Sequence, residues 1–521
     1  MTSAFLTKTI LVVVGILLSL TILRAQKHYS DNGNGTYTNP VIAADFPDPD
    51  IVLVRDTYYM VNTTMFIFPG VTVLRSKDLV NWEYCSNAIP RFDVSKCYDL
   101  DSCSRYAHGQ WATSLKYHGG KFYLLFITLD EGGFLCVSEK AEGPWEVRKL
   151  PKAFYDPGLF FDEDGRIYVA HGYSKISITE LKKDFSPKTS DSVVFTGDIR
   201  RGLEGTHVYK INGYYYLYST YGGRDGIQVA LRSKNIYGPY EQKVVIYDTT
   251  RGVNFGIHQG ALIKTQTGEW WTMLFVDSGP FGRFPSLQPV TLKDGWPMVG
   301  VNGKAVVTYK KPNVGKNYPV KTFPTSDEFN EKTLGMQWGW NHNPDPTNWS
   351  LLQRPGYLRL TAGKIVSNFR EARNSLTQRT FTYYDDSISA FGETKMDVSK
   401  MRDGDIAGLA IFQDPYAYIA VKQMNGSKYI VMVNNGTTID SAVFNSSAVY
   451  LRTIASNSTG KAYFEYSPDN EQFTPLGNQL SMRFNLSIFT GNKFCLFNYP
   501  TKGIGGYVDF DWFRMDAYKP K

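Results

Sequence analysis

A repeat limits what this chain can fold into. A turn followed by an aromatic strand recurs five times: Asp56-Thr57-Tyr58-Tyr59-Met60, Gly120-Lys121-Phe122-Tyr123-Leu124, Gly165-Arg166-Ile167-Tyr168-Val169, Gly213-Tyr214-Tyr215-Tyr216-Leu217 and Gly268-Glu269-Trp270-Trp271-Thr272. Tyr59, Tyr123, Tyr168, Tyr216 and Trp271 lie 64, 45, 48 and 55 residues apart. A further strand then ends on a polar turn and an aromatic: Ser76-Lys77-Asp78 leads to Trp82, Ser138-Glu139-Lys140 to Trp145, and Ser233-Lys234-Asn235 to Tyr240. Each unit has the length of four short strands and cannot bury both faces alone, so successive units predict a five-bladed β-propeller over residues 37–312. In a propeller the innermost strands line one axis. Polar residues far apart in sequence then meet in one pocket.

Lys310-Lys311-Pro312-Asn313-Val314-Gly315-Lys316 is a polar connection, and the texture changes after it. From Phe323 onward short apolar or alternating strands appear, among them Gly408-Leu409-Ala410-Ile411-Phe412 and Tyr429-Ile430-Val431-Met432-Val433, with Asn434-Asn435-Gly436 as a hairpin turn. Helical periodicity is absent. Residues 323–521 therefore read as a concanavalin-like, jelly-roll β-sandwich, and the whole chain as all-β. The aromatic content of 15% fits many strands or sugar-stacking surfaces. The formal charge of +7 is scattered, which argues against a nucleic-acid partner.

Lys8, the apolar run from Ile10 to Leu23, and Arg24-Ala25-Gln26 read as a signal peptide over residues 1–25. The run falls short of the ~20 residues that span a bilayer, with an uncleaved anchor as the alternative. The expectation is a secreted or periplasmic protein with no membrane contact after cleavage. Five cysteines are too few for a disulfide scaffold. Cys97 and Cys103 flank a short loop and can bridge in an oxidising compartment; no spacing resembles a zinc site.

The chemistry concentrates in three acidic motifs. Asp45-Phe46-Pro47-Asp48-Pro49-Asp50 precedes the first aromatic strand. Its prolines predict extended backbone at Phe46 and Asp48. Alone, it is an Asp-Pro turn before Ile51-Val52-Leu53-Val54. Asp156, in Phe154-Tyr155-Asp156-Pro157-Gly158, precedes the third strand, and Glu204, in Gly202-Leu203-Glu204-Gly205-Thr206-His207, the fourth. Each is flanked by Gly or Pro on a segment that a propeller places innermost. A turn carboxylate explains any one of them, but not three at equivalent places. Two carboxylates suit glycoside hydrolysis: one donates a proton to the leaving oxygen, and the other activates water or attacks the sugar. A third keeps the acid protonated by repulsion.

These motifs resemble those of glycoside hydrolase family 43, as do Trp111-Ala112-Thr113-Ser114, Phe66-Ile67-Phe68-Pro69-Gly70 and Gly282-Arg283-Phe284-Pro285-Ser286. The C-terminal part is similar to the sandwich of the family's β-xylosidase and α-L-arabinofuranosidase members, with Ser326-Asp327-Glu328-Phe329 and Gln378-Arg379-Thr380 as shared phrases. The resemblance implies an inverting enzyme with Asp48 as general base, Glu204 as general acid and Asp156 as pKa modulator. Arg283 would hold a sugar hydroxyl, and Phe66 and Trp111 would wall the pocket. His258 reads either as a packed core histidine or as an axial residue; the resemblance implies substrate contact or a hydrated central cation reached through water. His207, near the acid, would only tune it. Asp327 and Asp511 are placed like ligands of a structural calcium, with surface acids as the alternative. No cofactor is expected for the chemistry. The substrate implied is a plant cell-wall polysaccharide or oligosaccharide of xylan or arabinoxylan type, losing terminal β-D-xylose or α-L-arabinofuranose. The other readings are an endo-arabinanase, which needs an open groove, and a non-catalytic carbohydrate-binding propeller, which would lack one of the acids. The sandwich is expected to complete the site through Tyr499 or Tyr507, and the Cys97 to Cys103 insertion to shape the pocket.

Overall fold

Each repeat folds into one four-stranded antiparallel sheet, its strands in chain order. Blade 1 comprises Asp50–Val54, Thr57–Val61, Gly70–Ser76 and Trp82–Ile89; blade 2 Ser114–His118, Lys121–Thr128, Gly132–Ser138 and Glu146–Lys149. Blade 3 comprises Gly158–Phe161, Ile167–His171, Lys175–Leu181 and Ser192–Thr196; blade 4 Leu203–Ile211, Tyr214–Tyr221, Ile227–Ser233 and Glu241–Ile246. Blade 5 comprises His258–Lys264, Trp270–Asp277, Arg283–Lys293 and Trp296–Val299. The repeated aromatics all lie on second strands. The first strand of each blade packs against the first strands of its two neighbours, and that of blade 5 against that of blade 1, so the ring closes. Thr36–Thr38 pairs antiparallel with Thr308–Lys310 and fastens the two ends of the propeller. This computed structural model describes residues 29–250, 252 and 255–518; the segment read as a signal peptide lies outside them. Among the described residues there is no α-helix.

The C-terminal part is a sandwich of two eight-stranded sheets. The outermost strand of one of them comes from the propeller: Ile67–Phe68 pairs antiparallel with Trp338–Asn341, Phe68 opposite Trp340 and Ile67 opposite Asn341. The largest apolar core runs through both domains without a break, from Phe46 and Phe281 to Phe381 and Phe513. Fully burying one such side chain is worth about 1.5–3 kcal/mol, so docking is part of the fold.

The insertion after blade 1 holds the Cys97–Cys103 disulfide and packs on the sandwich. Asn343 Oδ1 accepts from the Phe92 amide (2.9 Å), the Asn343 amide donates to Tyr98 O (2.7 Å), and His342 Nε2 accepts from the Arg105 amide (2.8 Å). The insertion therefore bridges the domains. It touches the pocket at Ala107, whose carbonyl accepts from the indole N–H of Trp111. Cys85, Cys136 and Cys495 are buried thiols.

Candidate active site

The first strands deliver the acidic motifs to one end of the axis. Asp48 stands just before the first strand of blade 1, Asp156 just before that of blade 3, and Glu204 and His258 at the start of those of blades 4 and 5. Asp48 is not in the extended conformation that its proline predicts: its φ is +55°, and that of Asp156, also followed by proline, is +46°. Aspartate tolerates the left-handed region better than most residues, at a cost of order 1–3 kcal/mol. Hydrogen bonds to both carboxylates offset this. Asp48 Oδ2 accepts from the Thr63 hydroxyl (2.6 Å), and Arg283 Nη1 donates to Oδ1 (3.0 Å) and Oδ2 (3.3 Å). Asp156 Oδ2 accepts from the Gly205 amide at 3.1 Å, which ties it to the residue after Glu204. Glu204 Oε2 accepts from the Tyr155 hydroxyl at 3.0 Å. A β-bulge between Glu204 and His207 re-aims the glutamate. Gly222 leaves room for Oε1, which would lie 2.8 Å from a Cβ there.

Burial pushes Asp156 well above the ordinary carboxylate range, and the charges of Glu204 and Asp48 push it further. Glu204 is raised too, by burial first and by Asp48, while the Tyr155 bond and Arg283 oppose the shift. The protons belong to the cluster rather than to one residue. Arg283 is the balancing cation. Its Nε and Nη2 are buried and find no hydrogen-bond partner among the described residues. Buried donors are ordinarily satisfied, so these two are open to ligand hydroxyls. The guanidinium carbon lies 5.3 Å from the Phe275 ring centre, 5.1 Å from that of Phe489 and 6.0 Å from that of Phe484.

Phe484 and Phe489 come from the sandwich. Phe489, with φ of +61°, stacks on Trp111 at 5.1 Å between ring centres. Trp111 also leans on Tyr155 (6.1 Å), and its indole N–H donates to Ala107 O (3.0 Å). The sandwich thus forms one wall of the pocket, through residues other than those expected. Tyr499 is buried inside the sandwich, with its hydroxyl 3.0 Å from that of Tyr418, and Tyr507 lies under the Arg359 guanidinium. Both sit in regular strands whose side chains are committed to the sandwich; reaching the pocket takes an irregular loop. Phe66 is likewise not a pocket wall. It is fully buried between the domains, stacked on His342 (5.0 Å) and edge-on to Tyr106 (4.7 Å).

His258 reaches the axis, where Gly226 leaves space for its ring. Its Nδ1 donates to Gly256 O at 2.6 Å, which leaves Nε2 as an acceptor. Burial lowers its pKa, with Arg283 adding and Asp277 opposing, so the ring is neutral. A neutral acceptor suits a substrate hydroxyl or a cation-bound water. Deeper lies Asp50, fully buried, which accepts from the Leu115 amide (2.7 Å) and Lys116 Nζ (3.0 Å), with His207 Nδ1 at 3.4 Å. Burial alone would raise Asp50; His207 and Lys116 outweigh it and hold it below the usual range. This cluster, His207 included, fastens blades 1, 2 and 4 together beneath the site.

Asp327 and Asp511, expected as calcium ligands, are each engaged by donors of the protein. Asp327 accepts from the Phe329 amide (2.8 Å) and the Trp338 indole N–H (2.8 Å), and Asp511 is paired with Lys395 (2.7 Å). An ammonium stands where a cation site needs oxygen. Among the described residues no three His, Cys, Asp or Glu side chains are grouped to hold a metal.

Residues 37–297 match the profile described as Glycosyl hydrolases family 43, and residues 326–516 that of the Beta xylosidase C-terminal Concanavalin A-like domain. The chain belongs to glycosyl hydrolase family 43. A β-xylosidase of Formosa agariphila is 35% identical to this family 43 chain, over 95% of it and 92% of the relative. A non-reducing end α-L-arabinofuranosidase of Bacteroides ovatus is 30% identical over 75% of this chain and 77% of its own. A bifunctional GH43-CE protein of Bacteroides eggerthii superposes with a TM-score of 0.85 at 38% identity, over 95% of this chain. The present chain spans 64% of that longer protein. The family 43 fold thus brings Asp48, Asp156, Glu204, Arg283, Trp111 and His258 to one pocket. Thr63, Tyr155, Phe484 and Phe489 complete it without having been singled out from sequence. Tyr155 stands beside Asp156 within an acidic motif, and Phe484 within a short apolar and polar alternation, the only signals they gave.

Proposed function

We propose that this glycoside hydrolase is an exo-acting pentosidase that removes terminal β-D-xylose or α-L-arabinofuranose from xylan- or arabinoxylan-type oligosaccharides by single displacement. One observation carries the reading: three carboxylates surround an arginine with two unpaired buried donors, in a pocket that Phe489 and Trp111 close on one side. Arg283 and His258 hold hydroxyls of the terminal sugar. Glu204, kept protonated by burial and by Asp48, gives its proton to the glycosidic oxygen as that bond breaks. Asp48, fixed by Thr63 and Arg283, takes a proton from a water that attacks the anomeric carbon from the opposite face. Asp156 holds the Glu204 segment through the Gly205 amide. In an inverting enzyme the base and acid stand roughly 6.5–9.5 Å apart, which leaves room for that water.

The names of the two relatives support xylose and arabinofuranose as the sugars. The stacked wall opposes an endo-arabinanase, which needs a groove open at both ends. The presence of all three acids opposes a binding-only propeller. Secretion or periplasmic residence is supported by residues 1–25 and by the Cys97–Cys103 disulfide, since such bonds persist in oxidising compartments. Hydrolysis of nitrophenyl xyloside and nitrophenyl arabinofuranoside, with product analysis on a short xylo-oligosaccharide, tests the reading. Monosaccharide alone is the expected first product. Internal cleavage into oligosaccharides contradicts it.

A further inference from the structure

Among the segments that form the pocket are the Asp48 turn, the blade 5 strand that starts at Arg283, and the sandwich loop that carries Phe489. One buried carboxylate touches all three. Asp45, three residues before Asp48, accepts from the Arg283 amide on Oδ1 (2.9 Å) and from the Gly491 amide on Oδ2 (2.8 Å). Lys493 Nζ, buried as deeply, lies 3.6 Å from the same Oδ2. The Asp45 carbonyl accepts from Arg379 Nε of the sandwich at 2.8 Å, and the Phe46 amide donates to Arg283 O at 3.0 Å. Glycines allow this approach. A Cβ on Gly282 would lie 2.3 Å from Asp45 Oδ1, and one on Gly491 would lie 2.2 Å from Phe281 O.

We propose that Asp45 is a positioning residue for the reaction, a clasp that fixes the Phe489 loop of the sandwich to the strand bearing Arg283 and so assembles the sugar pocket. Asp45 does not face the reacting atoms. It acts through two residues that do: Arg283, whose backbone it holds, and Phe489, two residues before the Gly491 amide it accepts from. A carboxylate suits the place because donors approach both of its oxygens. Asparagine would turn one oxygen into an N–H group facing an amide or an ammonium, and a buried donor without a partner is expensive.

The clasp rests on the pentosidase reading for its kinetic test alone. Asp45→Asn is made in the wild-type and Phe489→Ala backgrounds, and kcat and KM are measured on the nitrophenyl pentoside that the wild type hydrolyses. In the wild type, kcat/KM is expected to fall about tenfold or more, mostly through KM, and in Phe489→Ala the same change should cost less than about threefold, because coupled residues are not additive. Equal losses in the two backgrounds overturn the clasp. If Asp45→Asn does not fold, Lys493→Gln enters the same cycle with the same criterion. Hydrogen exchange of residues 483–491 supplies a readout independent of turnover. Faster exchange of this loop in the variant, with the rest of the sandwich unchanged, is expected; unchanged exchange overturns the clasp even if no pentoside is a substrate.

Discussion

Asp48 and Asp156 share an unusual backbone setting, left-handed and followed by proline, and each is held by hydrogen bonds to its carboxylate. Their placement at the axis was legible in the sequence, because three acids beside Gly or Pro recur at equivalent places in a repeat. Their conformation was not, since proline alone predicts extended backbone and the left-handed turn depends on Thr63, Arg283 and Gly205. Asp48→Asn and Glu204→Gln should each lower kcat by about 10²–10⁴ while the protein still folds. Normal turnover in either folded variant would contradict the roles of base and acid. Glu204 must be protonated to act, and its pKa lies above its ordinary 4.5, so activity should fall on the alkaline side as it ionises. The Tyr155 hydroxyl donates to the ionised form and holds that pKa down. Tyr155→Phe should therefore move the alkaline limb of the kcat/KM profile to higher pH; a limb that stays or moves down would be inconsistent. Asp156, raised in the folded state, costs stability once pH rises above the unfolded carboxylate value, and the cost grows up to its folded pKa. Asp156→Asn should be inactive yet more stable at pH 7, by about 0.5–2 kcal/mol, with the gap closing near pH 4. Denaturant melts at the two pH values check this.

At the level of elements, the innermost strands do the positioning, and the period near 50 residues was enough to find them. Two features escaped that reading. Ile67–Phe68 is a two-residue strand inside a blade 1 motif, and its pairing with the sandwich leaves no periodic mark. Residues 483–491 form no strand although Phe484, Leu486 and Ile488 alternate with polar residues, so the pattern does not single out Phe489, which breaks it, whereas Tyr499 and Tyr507 stood out from regular strands and are buried or stacked elsewhere. Phe489→Ala should raise KM about tenfold with a smaller change in kcat, since it removes a wall that binds ground state and transition state alike. Steady-state kinetics decides; an unchanged KM would mean that the loop packs without contributing to binding.

For the molecule as a whole, a continuous core and a propeller strand added to a sandwich sheet make propeller and sandwich one cooperative unit. Calorimetry should show a single unfolding transition, and two well-separated transitions would contradict the shared core. A change of texture after residue 312 was visible in the sequence; the interface was not, because residues that bury against another domain look like any other core. What the assembled pocket should achieve is one displacement by water, with Glu204 on the side of the leaving group and Asp48 on the side of the water. Proton NMR of the first sugar released from a xyloside or arabinofuranoside tests this most directly. The account predicts that it appears with its anomeric configuration inverted before mutarotation, and a first product with retained configuration would contradict it.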